Sequence, residues 1–404
     1  MTILILADAS LPDGRRADLR IAEGRIAEIA AAGSLAASAG GERIGLDGAL
    51  LAPGFVDGHI HLDKTLLGLP FQPHRRGDTV AERIAREKEL RRELRYPVEE
   101  RARRLIEQVV AFGTTALRSH VDIDSDVRLS GLHALLKVRE AARDLVGIQI
   151  VAFPQSGIVA DPGVKDLLDQ AIREGADLVG GLDPAGIDND VNGHLDTIFA
   201  VAERHGVGLD IHLHDPGPLG CFELRQIAMR AAALGLQGRV AVSHAFALGA
   251  VDEAEFGRTA EALAAADVAI MTNGPGPVPM PPVKRLVKAG VRVFAGSDNI
   301  RDAWSPYGNG DMLERAMMIG YRQDFRADAD LELAFDLATG AAARELGLAD
   351  YGLRVGAAAD LVAVPAASVP EAVAAHPPRT LVMKRGRVLS IAPRSEERAA
   401  GSAG

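Results

Sequence analysis

Two short stretches concentrate side chains suited to metal and proton chemistry: "HIH" at 59–61 and "DIHLHD" at 210–215. Residues i and i+2 of a strand point to the same face, so His59 and His61 can place both imidazoles on one ion. Imidazole suits borderline cations such as Zn²⁺ or Fe²⁺. An HxH alone is a weak motif. It gains weight from a histidine in "VGLDIHLH" (207–214) and from the aspartate that closes "VRVFAGSD" (291–298). Alternation along 207–214 sends Leu209, Ile211 and Leu213 to one face and Asp210, His212 and His214 to the other, so by periodicity alone either histidine qualifies as a ligand.

These residues need strands to carry them, and the chain supplies eight candidates: 54–62, 114–123, 145–155, 178–183, 207–214, 240–245, 268–273 and 291–298. Amphipathic stretches such as "GVKDLLDQAIREG" and "HLDTIFAVAERHG" fall between them. Regular strand–helix alternation predicts an α/β fold, a (β/α)8 barrel. A doubly wound open sheet is the rival, but no Gly-rich phosphate loop follows the first strand. In a barrel, catalytic groups gather at the C-terminal strand ends. His59 and His61 end strand one, His120 and Asp122 strand two, Gln155 strand three, His212 and His214 strand five, His244 strand six and Asp298 strand eight. One strand histidine would mean little; convergence from six strands points to a site.

Residues 1–56 and 350–391 are rich in β formers around Gly and Asp turns, which predicts a small composite β-sandwich built from both ends. The barrel would then span 57–349, and the small, charged tail 392–404 reads as disordered. A net charge of −10, with no basic stripe, argues against nucleic acid as a partner. No run approaches the ~18 apolar residues of a membrane span. One cysteine, Cys221, excludes an intrachain disulfide and fits a reducing cytoplasm. The doubly charged run "RIAREKELRRELRYPVEERARR" (83–104) reads as a solvated helix face.

The segments "GFVDGHIHLDK" (54–64), "RSHVDID" (118–124), "QIVAFPQSGI" (149–158), "AVSHAFAL" (241–248) and "FAGSDNIRDAW" (294–304) resemble the cytosine-deaminase-like branch of the amidohydrolase superfamily. That branch includes aminohydrolases of triazine rings, and the likeness runs over nearly the whole chain. The resemblance implies one divalent ion (Zn²⁺ or Fe²⁺) held by His59, His61, His212 and Asp298. It implies that Asp298 takes the proton of an attacking water and that His244 stabilises the hydroxide or the tetrahedral centre. Gln155, Trp304, Lys64, His214 and Asp183 are the side chains expected to face the substrate. Binuclear members need a bridging ligand, often a lysine, at the end of strand three or four; "AFPQ" and "GGLDPAG" offer only Asp183, which favours one metal.

The family pattern on strand five is H-x-x-E, which selects His212 as the ligand and puts Asp215 where a glutamate shuttles protons. Aspartate is the same acid on an arm shorter by about 1.5 Å. Three readings stay open: Asp215 does the glutamate's work, His214 or Asp298 supplies the proton, or Asp215 caps the loop. The expected function is metal-dependent hydrolysis of a C–N bond on a small nitrogen heterocycle, pyrimidine- or triazine-like, with removal of an exocyclic amine. Ring opening of a cyclic amide or ureide is the alternative. The intact ligand set argues against an inactive binding protein. A small-molecule substrate is the expected partner, and assembly into a homo-oligomer is compatible with the family.

Overall fold

The computed structural model describes residues 3–36, 41–75 and 77–391, so the tail expected to be disordered lies outside the described residues. Among the described residues, five strands come first: β1 (Leu4–Ser10), β2 (Arg16–Ala22), β3 (Arg25–Ala31), β4 (Glu42–Gly45) and β5 (Leu50–Pro53). Eight parallel strands follow: β6 (Phe55–Ile60), β7 (Thr114–Asp122), β8 (Gly147–Phe153), β9 (Leu178–Leu182), β10 (Gly208–Leu213), β11 (Val240–His244), β12 (Val268–Thr272) and β13 (Val293–Ala295). They pair in sequence order, and a parallel bridge between Ile60 and Asp298 joins the last to the first. All eight expected barrel strands are present. The last is short because the chain turns after Ala295 to bring Asp298 beside the first strand.

Helices fill the connections: α1 (Val80–Glu93) and α2 (Val98–Ala111) after β6, then α3 (Ser130–Ala141), α4 (Val164–Arg173), α5 (Val191–His205), α6 (Gly217–Ala233), α7 (Glu253–Ala265) and α8 (Val283–Lys288). In α4 the buried residues are Val164, Leu167, Leu168, Ala171 and Ile172, the i, i+3, i+4, i+7, i+8 stripe that seats a helix on a sheet. The outward-facing strand residues, among them Leu209, Ile211 and Leu213 of β10, join the same apolar core. The opposite face of each strand points into the barrel. Toward its N-terminal end the interior is filled by Val56, Ala116, Ala241, Ala269, Met271 and Phe294. Toward the other end small apolar residues give way to His, Asp and Ser.

After the barrel come β14 (Leu361–Val364), β15 (Leu381–Lys384) and β16 (Arg387–Ile391), which complete a second sheet with the N-terminal strands in the order β16-β15-β14-β5-β1-β2-β3. β1 is shared: Leu4–Ala7 pair with β4, while Ser10 pairs with Leu50 of β5. Side chains from both termini (Leu6, Leu19, Ile26, Leu51, Leu361 and Met383) meet in one apolar cluster. Among the described residues no helix is long and apolar enough to cross a membrane.

Candidate metal centre and active site

The floor of the barrel mouth brings four lone-pair donors together. His59 Nε2 and His61 Nε2 are 3.3 Å apart, and His61 Nε2 is 3.4 Å from His212 Nε2. Asp298 Oδ1 lies 3.4 Å from His61 Nε2 and 3.5 Å from His59 Nε2. Donors bound tetrahedrally at about 2.0–2.1 Å stand about 3.3–3.4 Å from one another, so this set fits one small divalent cation. Burial holds the imidazoles of His61 and His212 below the usual histidine range, which keeps them neutral as ligands require. Burial opposes ionisation of Asp298, yet the His59 and His61 rings hold its carboxyl well below the usual range.

Strand one and the segment after strand eight are built around each other. Asp57 accepts the backbone N–H groups of Ser297 at 2.9 Å and His59 at 3.3 Å, together with the Ser297 hydroxyl at 2.5 Å. Asp298 N donates to His59 O at 2.7 Å. Gly296 is required by this approach, since a Cβ there would sit 2.5 Å from the Cβ of His59. Asn273, just past β12, donates to Asp298 Oδ2 at 2.7 Å and leaves Oδ1 toward the histidines. Asp298 and His244 both adopt left-handed backbone, at φ 64° and 74°. Such non-glycine conformations cost about 1–3 kcal/mol and cluster at functional sites.

A second layer forms the wall. Lys64 is buried, with Nζ 2.8 Å from Asp122 Oδ1 and 3.2 Å from Glu87 Oε2. Gln155 accepts from Lys64 Nζ and donates through Nε2 to Glu87 Oε2 at 2.8 Å and Asp122 Oδ2 at 3.0 Å. The Trp304 indole N–H also donates to Glu87 Oε2. Both ends of the Gln155 amide are thus held by protein groups. Burial favours protonated Glu87, but Lys64, Trp304 and Gln155 together lower its pKa. Glu87 lies on α1, inside the run expected to be a solvated face. That expectation is corrected on both helices: Glu87 is buried, and Arg91 bonds Asp122 at 3.2 Å and Asp124 at 3.0 Å. Arg101, on α2, is buried too and donates to the backbone of Asp63 and Thr65. Arg103, by contrast, makes exposed pairs with Glu100 and Glu107.

After strand five the three neighbours separate. His212 joins the floor. His214 sits at the rim, its ring stacked on His244 at 4.5 Å between centroids and its Nδ1 3.0 Å from Asp183 Oδ2. Burial opposes its protonation, but Asp183 more than offsets this and raises its pKa. Asp215 turns to the wall: Oδ2 accepts from Gly186 N at 2.9 Å, and the charge of its carboxyl acts on Glu223 of α6. Glu223 also accepts from Ala185 N at 2.8 Å. Burial first, and Asp215 second, push Glu223 up to about 8.

The amidohydrolase family model matches residues 42–390. The chain belongs to the amidohydrolase family. It is 34% identical over 359 residues to N-isopropylammelide isopropyl amidohydrolase of Pseudomonas sp. (strain ADP), covering 86% of this chain and 88% of that protein. Its fold superposes on N-isopropylammelide isopropylaminohydrolase of Burkholderia multivorans with a TM-score of 0.93 and 43% identity, covering 96% of this chain and 98% of the other. Against 5-methylcytosine deaminase of Klebsiella pneumoniae bound to 5-fluorocytosine, the TM-score is 0.87 and the identity 30%, covering 97% and 98% of the two chains.

Among the residues of this amidohydrolase's site, Glu87 and Asn273 carry no expectation from the sequence. Asn273 ends "VAIMTN", a strand end left without a role, and so was open to discovery. Asp210 and Ser243 stand on the inward faces of strands five and six, two residues and one residue before histidines already singled out. Glu87 had no local signal.

Proposed function

We propose that the protein is a hydrolase that uses one divalent cation, Zn²⁺ or Fe²⁺, to remove an exocyclic amine or alkylamine from a small nitrogen heterocycle of pyrimidine or triazine type. The observation that carries this reading is the convergence of His59, His61, His212 and Asp298 at 3.3–3.5 Å spacing beneath a polar, aromatic-edged wall. The activities named for the similar proteins support it.

The bound ion would supply a water acidic enough to ionise near neutral pH, where free water does not. The chain's own residues do the rest. Asp298, fixed through Oδ2 by Asn273, takes a proton from the attacking water. His244, facing the same space, stabilises the charge that builds on the attacked carbon's substituents. The ring is held against Trp304 and the Lys64–Gln155–Glu87 cluster. His214 gives the departing nitrogen its proton: Asp183 engages Nδ1, which leaves Nε2 available and favours the protonated ring. Asp215, occupied by Gly186 and Glu223, supports the loop after strand four. Buried Cys221 is in keeping with a cytoplasmic setting.

The test is metal analysis of purified protein, then a panel of amino- and alkylamino-substituted triazines and pyrimidines beside hydantoin-like rings. One equivalent of metal and release of amine or ammonia are expected. His212→Ala should lose metal and activity together, the latter by more than about 10³-fold. Ring-opened product without amine release would replace this reading with cyclic-amide hydrolysis.

A further inference from the structure

The three imidazoles of the floor are braced unequally. His61 Nδ1 and His212 Nδ1 have no protein partner among the described residues. His59 Nδ1 lies 2.9 Å from Ser243 Oγ, and Ser243 Oγ is 2.8 Å from Asp210 Oδ1. Arg118 Nη1 donates to Asp210 Oδ2 at 2.8 Å. Arg118 is itself anchored by Gln149 Oε1 at 3.1 Å and the Glu345 carbonyl at 2.9 Å. His59, Ser243 and Asp210 are fully buried, and Arg118 is 2% exposed.

Proton counting gives this chain of contacts a direction. A carboxylate paired with Arg118 only accepts, so the single Ser243 proton goes to Asp210. The Ser243 oxygen then offers a lone pair to His59, whose Nδ1 must carry the N–H. Nε2 is left with a free lone pair, aimed at the point shared with His61 and Asp298. The His120 ring lies 3.9 Å from that of His59 between centroids, tilted by 30°, and restricts its plane. Strand geometry supplies the parts. Asp210 is two residues before His212 on the same inward face, and Ser243 pairs in register with His212 across β10 and β11.

We propose that Ser243 and Asp210 are positioning residues that fix the tautomer and orientation of His59 as a cation ligand, with Arg118 balancing the Asp210 charge. This rests on the metal-site reading above. Groups that orient metal-bound histidines change metal affinity by about 10–100-fold when removed.

The experiment measures Zn²⁺ and Co²⁺ affinity by competition with a chromophoric chelator, and the visible absorption of the Co²⁺ form, in wild type, Ser243→Ala, Ser243→Thr and Asp210→Asn. Ser243→Ala should weaken binding by about 10–100-fold and alter the Co²⁺ bands, while Ser243→Thr, which keeps the hydroxyl, restores both. Asp210→Asn keeps the shape of the carboxylate and should shift affinity in the same direction, which covers the case of a Ser243→Ala protein that does not fold. Wild-type affinity and an unchanged spectrum in Ser243→Ala or Asp210→Asn would overturn the proposal. A wild-type protein that takes up no metal would instead overturn the metal-site reading itself.

Discussion

The floor and the wall of the barrel mouth are held by different forces. The floor residues sit on or directly after strands, and their spacing follows from strand register and side-chain alternation. The floor holds one carboxylate among three imidazoles, and burial keeps those of His61 and His212 neutral. The wall is built from Lys64 and Arg91 set against Glu87 and Asp122, and part of it stands on α1. That helix buries only Ile84 and Glu87 and is otherwise tied to the barrel through Arg91 and Lys88 to Asp122, Asp124 and Asp126. Buried ion pairs of this kind add little net stability, but breaking one leaves an uncompensated charge. The contrast separates two supports: the sheet positions the floor, and α1 positions part of the wall.

Variants can test whether the two regions separate. The largest effect is expected at the rim: His214→Ala should keep its metal yet lose roughly 10²–10⁴-fold in turnover. Asp215→Asn should stay within about tenfold of wild type, as fits a wall residue. Equal losses in the two variants would return the proton-transfer role to Asp215. A smaller effect is expected for Glu87→Gln, which removes the negative charge that Lys64, Gln155 and Trp304 share. A lost charge-assisted hydrogen bond implies about tenfold in kcat/KM, expressed mainly in KM, with metal content unchanged. Metal loss in that variant would show that wall and floor are one unit.

The smallest effect concerns stability against pH. Glu223 is raised to about 8, so between its unfolded value near ~4.3 and 8 the folded chain binds a proton that the unfolded chain does not. Its contribution is therefore complete below ~4.3 and lost as pH rises through about 8. Thermal melts of wild type should fall more steeply over that window than those of Glu223→Gln. Parallel curves would mean that Glu223 does not hold that proton.

Much of the fold was legible in local pattern. Each barrel strand shows period-two alternation or a short apolar run, helices such as α2 and α4 a buried stripe, and rare polar residues mark the strand ends. These signals need only neighbours a few positions away. The charged run at 83–104 shows where such reading fails, since a helix whose glutamate points into a pocket has the same local pattern as one facing water.

The sequence by itself determined the barrel and set His59 and His61 on one strand face, because strand alternation dictates which side chains point together; Asp298, beyond the end of β13, took a family resemblance. Choosing between His212 and His214 took a family resemblance as well. Only the tertiary structure decided that Glu87 closes the wall, that Asn273 orients Asp298, and that Asp215 turns toward Glu223 rather than the floor. Each of these depends on contacts between segments far apart in sequence, whose direction is set by packing and charge pairing rather than by any pattern the chain carries locally.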